Sequence, residues 1–290
     1  MKRHIIPSGC AGLLALVVIA TLLCGCTGTP GQNSAEKTTE TGSIESLIVS
    51  GSTTVLPVAA NAAEAFMDKH PNADIQVSAG GSSVGVQAVG EGTADIGMAS
   101  RDLKDVEIQK YQDLVPQVIA RDGIALIVHP SNAVSSLTLG QIKAIYQGNV
   151  TNWKDVGGED KEIVVIGRDS ASGTREFFHE FVMHKEDFIQ TQLEKNSNGA
   201  VQSTVAQTPG GIGYVGLGYI DETVKPLLID NGTDTVEPTV DNVLSGQYPI
   251  SRSLYMITRG EPTGLAADFL LYIMSEEGQK MVSDEGFVPA

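Results

Sequence analysis

The chain has 290 residues, with 35 acidic against 19 basic side chains and a formal charge of −16. So acidic a composition argues against a nucleic-acid binder, whose footprint is a basic patch. It leaves room for a bound anion, because local N–H groups and one or two arginines decide that rather than net charge.

Lys2 and Arg3 precede an apolar run from Ala11 to Leu23, which ends in Leu23-Cys24-Gly25-Cys26. The run is too short for a comfortable membrane span and suits a signal peptide. Gly25 directly before Cys26, with Leu23 further upstream, looks like a lipoprotein cleavage site, although Cys24 is an unusual occupant of its position. Residues 1–25 are therefore expected to be a signal peptide and Cys26 the lipidated first residue. An uncleaved N-terminal anchor is the alternative, and both place the rest outside the cytoplasm. Cys10 and Cys24 leave with the signal, so no pair remains for an internal disulfide and packing must hold the fold. Residues 26–46 are rich in Thr, Gly, Ser and Glu and read as a flexible tether.

From Leu47 onward, strand and helix patterns alternate. Leu47-Ile48-Val49 reads as a strand, and Val55 to Lys69 repeats apolar residues at helical spacing, with Pro57 tolerated in the first turn. Ile75 to Val77 predicts a strand, Val84 to Val89 a short helix and Ala94 to Met98 a strand. Ile124 to Val128 is a buried-strand run stopped by Pro130. Leu139 to Tyr146 predicts a helix capped by Thr138. Ile163 to Ile166 follows as a strand and Thr174 to Met183 as an amphipathic helix. Ile212 to Val215 and Leu254 to Ile257 read as strands, and Leu265 to Met274 and Glu276 to Ser283 as closing helices. The alternation predicts an α/β fold with mainly parallel sheets.

Three of the strand-to-helix corners carry Gly/Ser/Thr clusters: Gly51-Ser52-Thr53-Thr54, Gly80-Gly81-Ser82-Ser83 and Ser170-Ala171-Ser172-Gly173-Thr174. A helix start offers unpaired N–H groups and the positive end of its dipole, and the hydroxyls add donors. Ligands in α/β folds bind at such strand ends. Arg168, separated from Ser172 by three residues, brings a guanidinium fork suited to a tetrahedral oxyanion. Ala99-Ser100-Arg101 ends another strand with a second arginine. Bringing corners so far apart in sequence to one point predicts a cleft between two lobes.

Other motifs carry less. Gly211-Ile212-Gly213-Tyr214-Val215-Gly216 matches a dinucleotide fingerprint but sits in a strand-like stretch that opens no evident helix. Ser172 has Ser170, not glycine, two positions before it, so no nucleophile elbow is formed. The histidines (His4, His70, His129, His179, His184) show no metal spacing, and no cofactor is expected. Asn149-Val150-Thr151 and Asn231-Gly232-Thr233 are glycosylation sequons.

With these residues in view, the chain resembles the phosphate-binding lipoproteins of phosphate ABC transporters, from Ile48 to about Gly286. The ordered motifs are Gly51 to Pro57, Gly80 to Ser83, Ala94 to Arg101, Asp122 to Ala125, Leu137 to Ile142, Ile145 to Gly148, Asn152-Trp153, Arg168, Ser172 to Arg175 and Gly211 to Tyr214. The resemblance implies a two-lobed periplasmic-binding-protein fold, each lobe a mainly parallel sheet flanked by helices, closing over a dehydrated anion. It implies lobe one as residues 47–122 plus 248–290 and lobe two as 123–247. It implies phosphate contacts from Ser52, Thr53, Thr54, Ser82, Ser83, Ser100, Arg101, Arg168, Ser172, Gly173 and Thr174. It also implies membrane permease subunits as partners, a monomeric receptor and a lipid anchor on the outer face of the cell membrane. In one branch of the family an Asp accepts the proton of hydrogen phosphate; here Ser100 stands at that position. The candidate acceptors are the Ser100 hydroxyl, a backbone carbonyl, Asp102 or Asp122. A receptor for sulfate, molybdate or arsenate remains open, as does a sensor on the same fold. A hydrolase would need a metal cluster or an activated serine, and neither is evident.

Overall fold

A computed structural model describes residues 43–290. The signal peptide 1–25, Cys26 and most of the tether lie outside the described residues.

Strand β1 (Glu45–Gly51) starts just ahead of Leu47 and runs into helix α1 (Leu56–Lys69). Pro57 sits in the first turn of α1, and Val58, Ala59, Ala62, Ala63 and Phe66 form its buried stripe. β2 (Ala73–Ala79), α2 (Ser82–Gly90) and β3 (Ile96–Ala99) follow, with β1 parallel to both β2 and β3. Then come α3 (Asp105–Lys110), β4 (Leu114–Val128), β5 (Ser136–Thr138) and α4 (Leu139–Gln147). Thr138 caps α4 in a reciprocal box with Gln141. β6 (Val164–Arg168), α5 (Gly173–Phe181), β7 (Leu193–Lys195), α6 (Asn198–Ala206) and β8 (Gly211–Gly216) continue the alternation. The chain closes with β9 (Lys225–Pro226), β10 (Leu228–Asp230), β11 (Thr235–Val236), α7 (Val240–Leu244), β12 (Ser251–Arg259), α8 (Gly264–Met274), α9 (Glu276–Asp284) and β13 (Val288–Pro289).

The main sheet runs β2-β1-β3-β12-β4-β8-β6-β7. It is parallel at both flanks, where β6 pairs with β7 and β8 as β1 does with β2 and β3. Antiparallel pairs enter only through β12 and β4, which carry the chain across the middle. Two large cores result, beside a small third cluster of Val86, Val89, Ala99 and Ile257. One gathers Leu47, Phe66, Ile96, Met98, Ile119, Leu254 and Phe269. The other gathers Ile124 to Val128, Tyr146, Trp153, Phe178, Tyr214 and Ile250. This is the two-lobed α/β binding-protein architecture. β4 supplies both cores, because Ile119 and Ala120 belong to the first and Ile124 to Val128 to the second. The sequence pattern marks only its second half. The first half contains Pro116 and alternates unevenly between buried and exposed positions. Among the described residues, no helix is long and apolar enough to cross a membrane.

Candidate functional site

Four helix starts converge between the cores. α1, α2 and α5 carry the clusters expected from sequence. The fourth is α6, where Ser197 caps the helix and accepts from the Ala200 N–H. Each follows the C-terminal end of a strand with parallel neighbours, the usual ligand position of α/β sheets. Ser52, Thr53, Thr54, Ser82, Ser100, Arg101, Arg168, Ser172 and Thr174 are all buried. A polar group set this deep must be hydrogen-bonded or held for a ligand.

The α2 and α5 starts touch. Ser83 N–H donates to the Ala171 carbonyl at 3.1 Å. A Cβ on Gly173 would stand 2.1 Å from Ser82 Oγ and 2.9 Å from Ser100 Oγ, so only glycine fits there. Ser82 Oγ accepts the Ser100 N–H at 3.0 Å and lies 3.3 Å from Ser100 Oγ. Ser172 caps α5 by accepting the Arg175 N–H at 3.1 Å. On the α1 side, Ser52 Oγ accepts the Thr54 N–H at 3.2 Å, so that backbone donor is engaged within its own corner. Thr54 Oγ1 and Thr174 Oγ1 are 3.2 Å apart, joining the α1 and α5 starts.

The two arginines expected from sequence are placed differently. Arg168, 1 % exposed, donates from Nε to the Lys195 carbonyl at 3.1 Å and from Nη2 to the Asn196 carbonyl at 3.2 Å. Its Nη1 is buried without a partner. No carboxylate among the described residues forms an ion pair with it. Burial pulls the guanidinium below its ordinary value; Tyr214 and Asp169 oppose this, and the positive charge of Arg252 adds to it. Arg101 instead turns to Glu107, with bonds of 2.7 and 2.9 Å, and to Ser83 Oγ at 3.1 Å, so its charge is balanced locally.

Three further residues complete the site. Arg252 donates from Nη2 at 2.7 Å and from Nε at 3.1 Å to Asp122 Oδ2, from Nη1 to the Ser100 carbonyl at 3.0 Å and from Nη2 to Thr54 Oγ1 at 3.2 Å. Asn198 Nδ2 donates to Thr53 Oγ1 at 3.1 Å and Thr54 Oγ1 at 3.0 Å. Tyr219 O–H donates to the Thr53 carbonyl at 2.5 Å; burial pushes this phenol up to about 12, so the proton stays on at neutral pH. Asp122 is fully buried. Burial pushes its carboxyl up, and Arg252 and the Leu217 N–H at 2.9 Å pull it back. Both Asp122 oxygens are thereby occupied by donors. Asp102 is exposed and accepts from the Tyr255 O–H at 2.5 Å. Ser197-Asn198-Gly199 repeats the Ser/Gly signature of the other corners, and Arg252 keeps the two-residue phase of Leu254 and Met256. Those signals were present in the sequence.

Buried hydroxyls at converging helix starts, together with a buried arginine that no carboxylate among the described residues pairs, define an anion-binding protein of the periplasmic-binding class. The comparisons agree. Residues 35–277 match the PBP superfamily domain. The phosphate-binding protein PstS of Bacillus subtilis (strain 168) is 37% identical over 280 residues, covering 96% of this chain and 92% of the relative. That of Pseudomonas aeruginosa is 35% identical over 264 residues, covering 82% and 81%. Among solved structures, a phosphate ABC transporter substrate-binding protein with bound phosphate from Clostridium perfringens superposes with a TM-score of 0.81 at 41% identity, covering 85% of this chain and 100% of that one. An ABC-type phosphate transport receptor from Vibrio cholerae gives 0.70 at 31% identity, covering 84% and 100%. The chain belongs to the PBP superfamily and, within it, to the PstS family of phosphate-binding proteins.

Proposed function

We propose that this protein is an extracytoplasmic receptor that captures inorganic phosphate for the membrane permease of an ABC importer. The observation that carries this is Arg168, a buried cation held by the carbonyls just ahead of the α6 start, with Nη1 unpaired and no carboxylate partner among the described residues. An anion there relieves the cost of burying the charge. Thr53, Ser82, Arg168, Ser172, Gly173 and Thr174 form its inner contacts. Ser52, Thr54, Ser83, Ser100 and Arg101 stand around them. The lobes are residues 47–122 with 248–290, and 123–247, and they close on the ligand by a hinge motion. The separate cores support that division for most of the chain, although Tyr248, Ile250 and Val288 pack in the second core. Cys26 carries the lipid that holds a monomeric receptor at the outer face of the membrane. Capture rather than turnover is the reading that fits Ser172, whose Oγ is engaged as the α5 cap by the Arg175 N–H.

Calorimetric titration of the delipidated domain with phosphate, sulfate and molybdate tests the assignment, alongside a phosphatase assay. Phosphate should bind and resist equimolar sulfate, without hydrolysis of phosphate esters. Displacement by equimolar sulfate would replace the phosphate assignment with a general oxyanion receptor.

A further inference from the structure

The Thr54 hydroxyl has one O–H to give and two acceptor positions. Asn198 Nδ2, at 3.0 Å, and Arg252 Nη2, at 3.2 Å, fill both acceptor positions. The 3.2 Å contact with Thr174 Oγ1 therefore has a single polarity: Thr54 donates and Thr174 accepts. Neither N–H donor can be reversed. Arg252 has no acceptor atom and is fixed by Asp122 and the Ser100 carbonyl. The Asn198 amide is oriented by the Gly216 N–H, which its Oδ1 accepts at 3.4 Å. Because Thr174 Oγ1 receives Thr54, its own O–H is released for another acceptor. Thr53 Oγ1 receives Asn198 Nδ2 at 3.1 Å, which frees its O–H in the same way.

We infer that Asn198, Arg252 and Thr54 form a polarity relay that fixes the hydroxyls of Thr53 and Thr174 as donors toward a bound anion. The inference rests on reading the site as a phosphate receptor. The three are positioning residues, all more than nine-tenths buried, and they act through the two threonines rather than on the ligand. The relay exists because Thr54, the second threonine of its corner, faces inward to Arg252 while its neighbour faces the ligand. The Ser82–Ser100 pair is not constrained in this way: Ser82 Oγ receives one N–H, and either hydroxyl can donate across their 3.3 Å contact.

Phosphate titration of Thr54→Val, Thr54→Ser, Thr174→Val and the Thr54→Val/Thr174→Val double variant tests the relay. Thr54→Val keeps the shape and removes the hydroxyl, and should weaken binding about tenfold, the worth of one buried hydrogen bond. Thr54→Ser should bind within threefold of wild type. In the Thr174→Val background the Thr54 change should add nothing, since its effect passes through Thr174. Wild-type affinity in Thr54→Val, full additivity in the double variant, or Thr54→Ser as weak as Thr54→Val would each overturn the relay. Should Thr174→Val bind too weakly to titrate, the Val and Ser variants at position 54 decide alone. Thr54→Ala replaces Thr54→Val if circular dichroism shows the latter unfolded. A wild-type protein that binds no phosphate would overturn the receptor assignment instead.

Discussion

Arg252 and Asp122 stand directly opposite each other on the antiparallel strands β12 and β4, and their side chains meet with Nη2 2.7 Å from Oδ2. This buried ion pair lies where the two cores abut, and it supports the site through Thr54 and the Ser100 carbonyl. Removing one partner of a buried pair strands the other charge, at a cost of roughly 3–5 kcal/mol. Asp122→Ala should therefore lower unfolding stability by about that much in urea titration. Asp122→Ala/Arg252→Met should recover part of the loss. A single variant within 1 kcal/mol of wild type would show the pair to be dispensable.

Arg168→Ala should leave the melting temperature nearly unchanged and weaken phosphate binding. Truncating one side of a buried charge-assisted contact costs roughly 2–5 kcal/mol, which is about 30-fold or more in affinity. Calorimetry showing affinity within a factor of three of wild type would remove Arg168 from the site.

Gly173→Ala tests the close contact between the α2 and α5 starts. The added methyl would lie 2.1 Å from Ser82 Oγ. Overpacking of this kind costs roughly 1–3 kcal/mol, here charged against closure of the site. Phosphate affinity should fall about tenfold or more with little change in apo stability. Unimpaired binding would mean that the helix starts separate when the ligand is held.

Ser100→Ala tests selectivity. Phosphate carries a proton at neutral pH and sulfate does not, and the Ser82–Ser100 pair is the part of the cage whose hydroxyl direction is unconstrained. The phosphate-to-sulfate affinity ratio should narrow by about tenfold, the worth of one buried hydrogen bond. A ratio equal to wild type in competition binding would pass the accepting role to a backbone carbonyl.

Cys26→Ser removes the proposed lipid attachment site and should release the protein from the membrane or block its processing. Intact mass of the native protein provides the check. A mass beginning at Met1 without lipid would overturn the assignment.

Much of the site is legible in the sequence because anion-binding corners leave local signatures. Ser82, Ser172 and Thr174 sit at helix starts that glycine and hydroxyl residues announce, and Arg168 ends a recognisable strand. What is not legible depends on tertiary pairing. Nothing near Arg101 in sequence shows that Glu107 will claim its charge. Arg252 and Asp122 become partners only when β12 and β4 align in register. Thr54 reads as one more donor to the ligand until Asn198 and Arg252 are seen to fill its lone pairs. The first half of β4 escapes periodicity because its neighbours, not its own pattern, make it a strand.

The unbroken run of β4 through both cores has a practical corollary. Lobes joined by loops can be cut apart and produced as separate fragments. Here any cut between Ala120 and Ile124 severs a hydrogen-bonded ladder, because Arg121, Asp122 and Gly123 are paired with Ser253, Arg252 and Ser251. Each half would then carry raw strand ends, the kind of edge that recruits other chains. Attempts to express either half alone should yield aggregates, and the receptor has to be engineered, labelled and evolved as one indivisible piece.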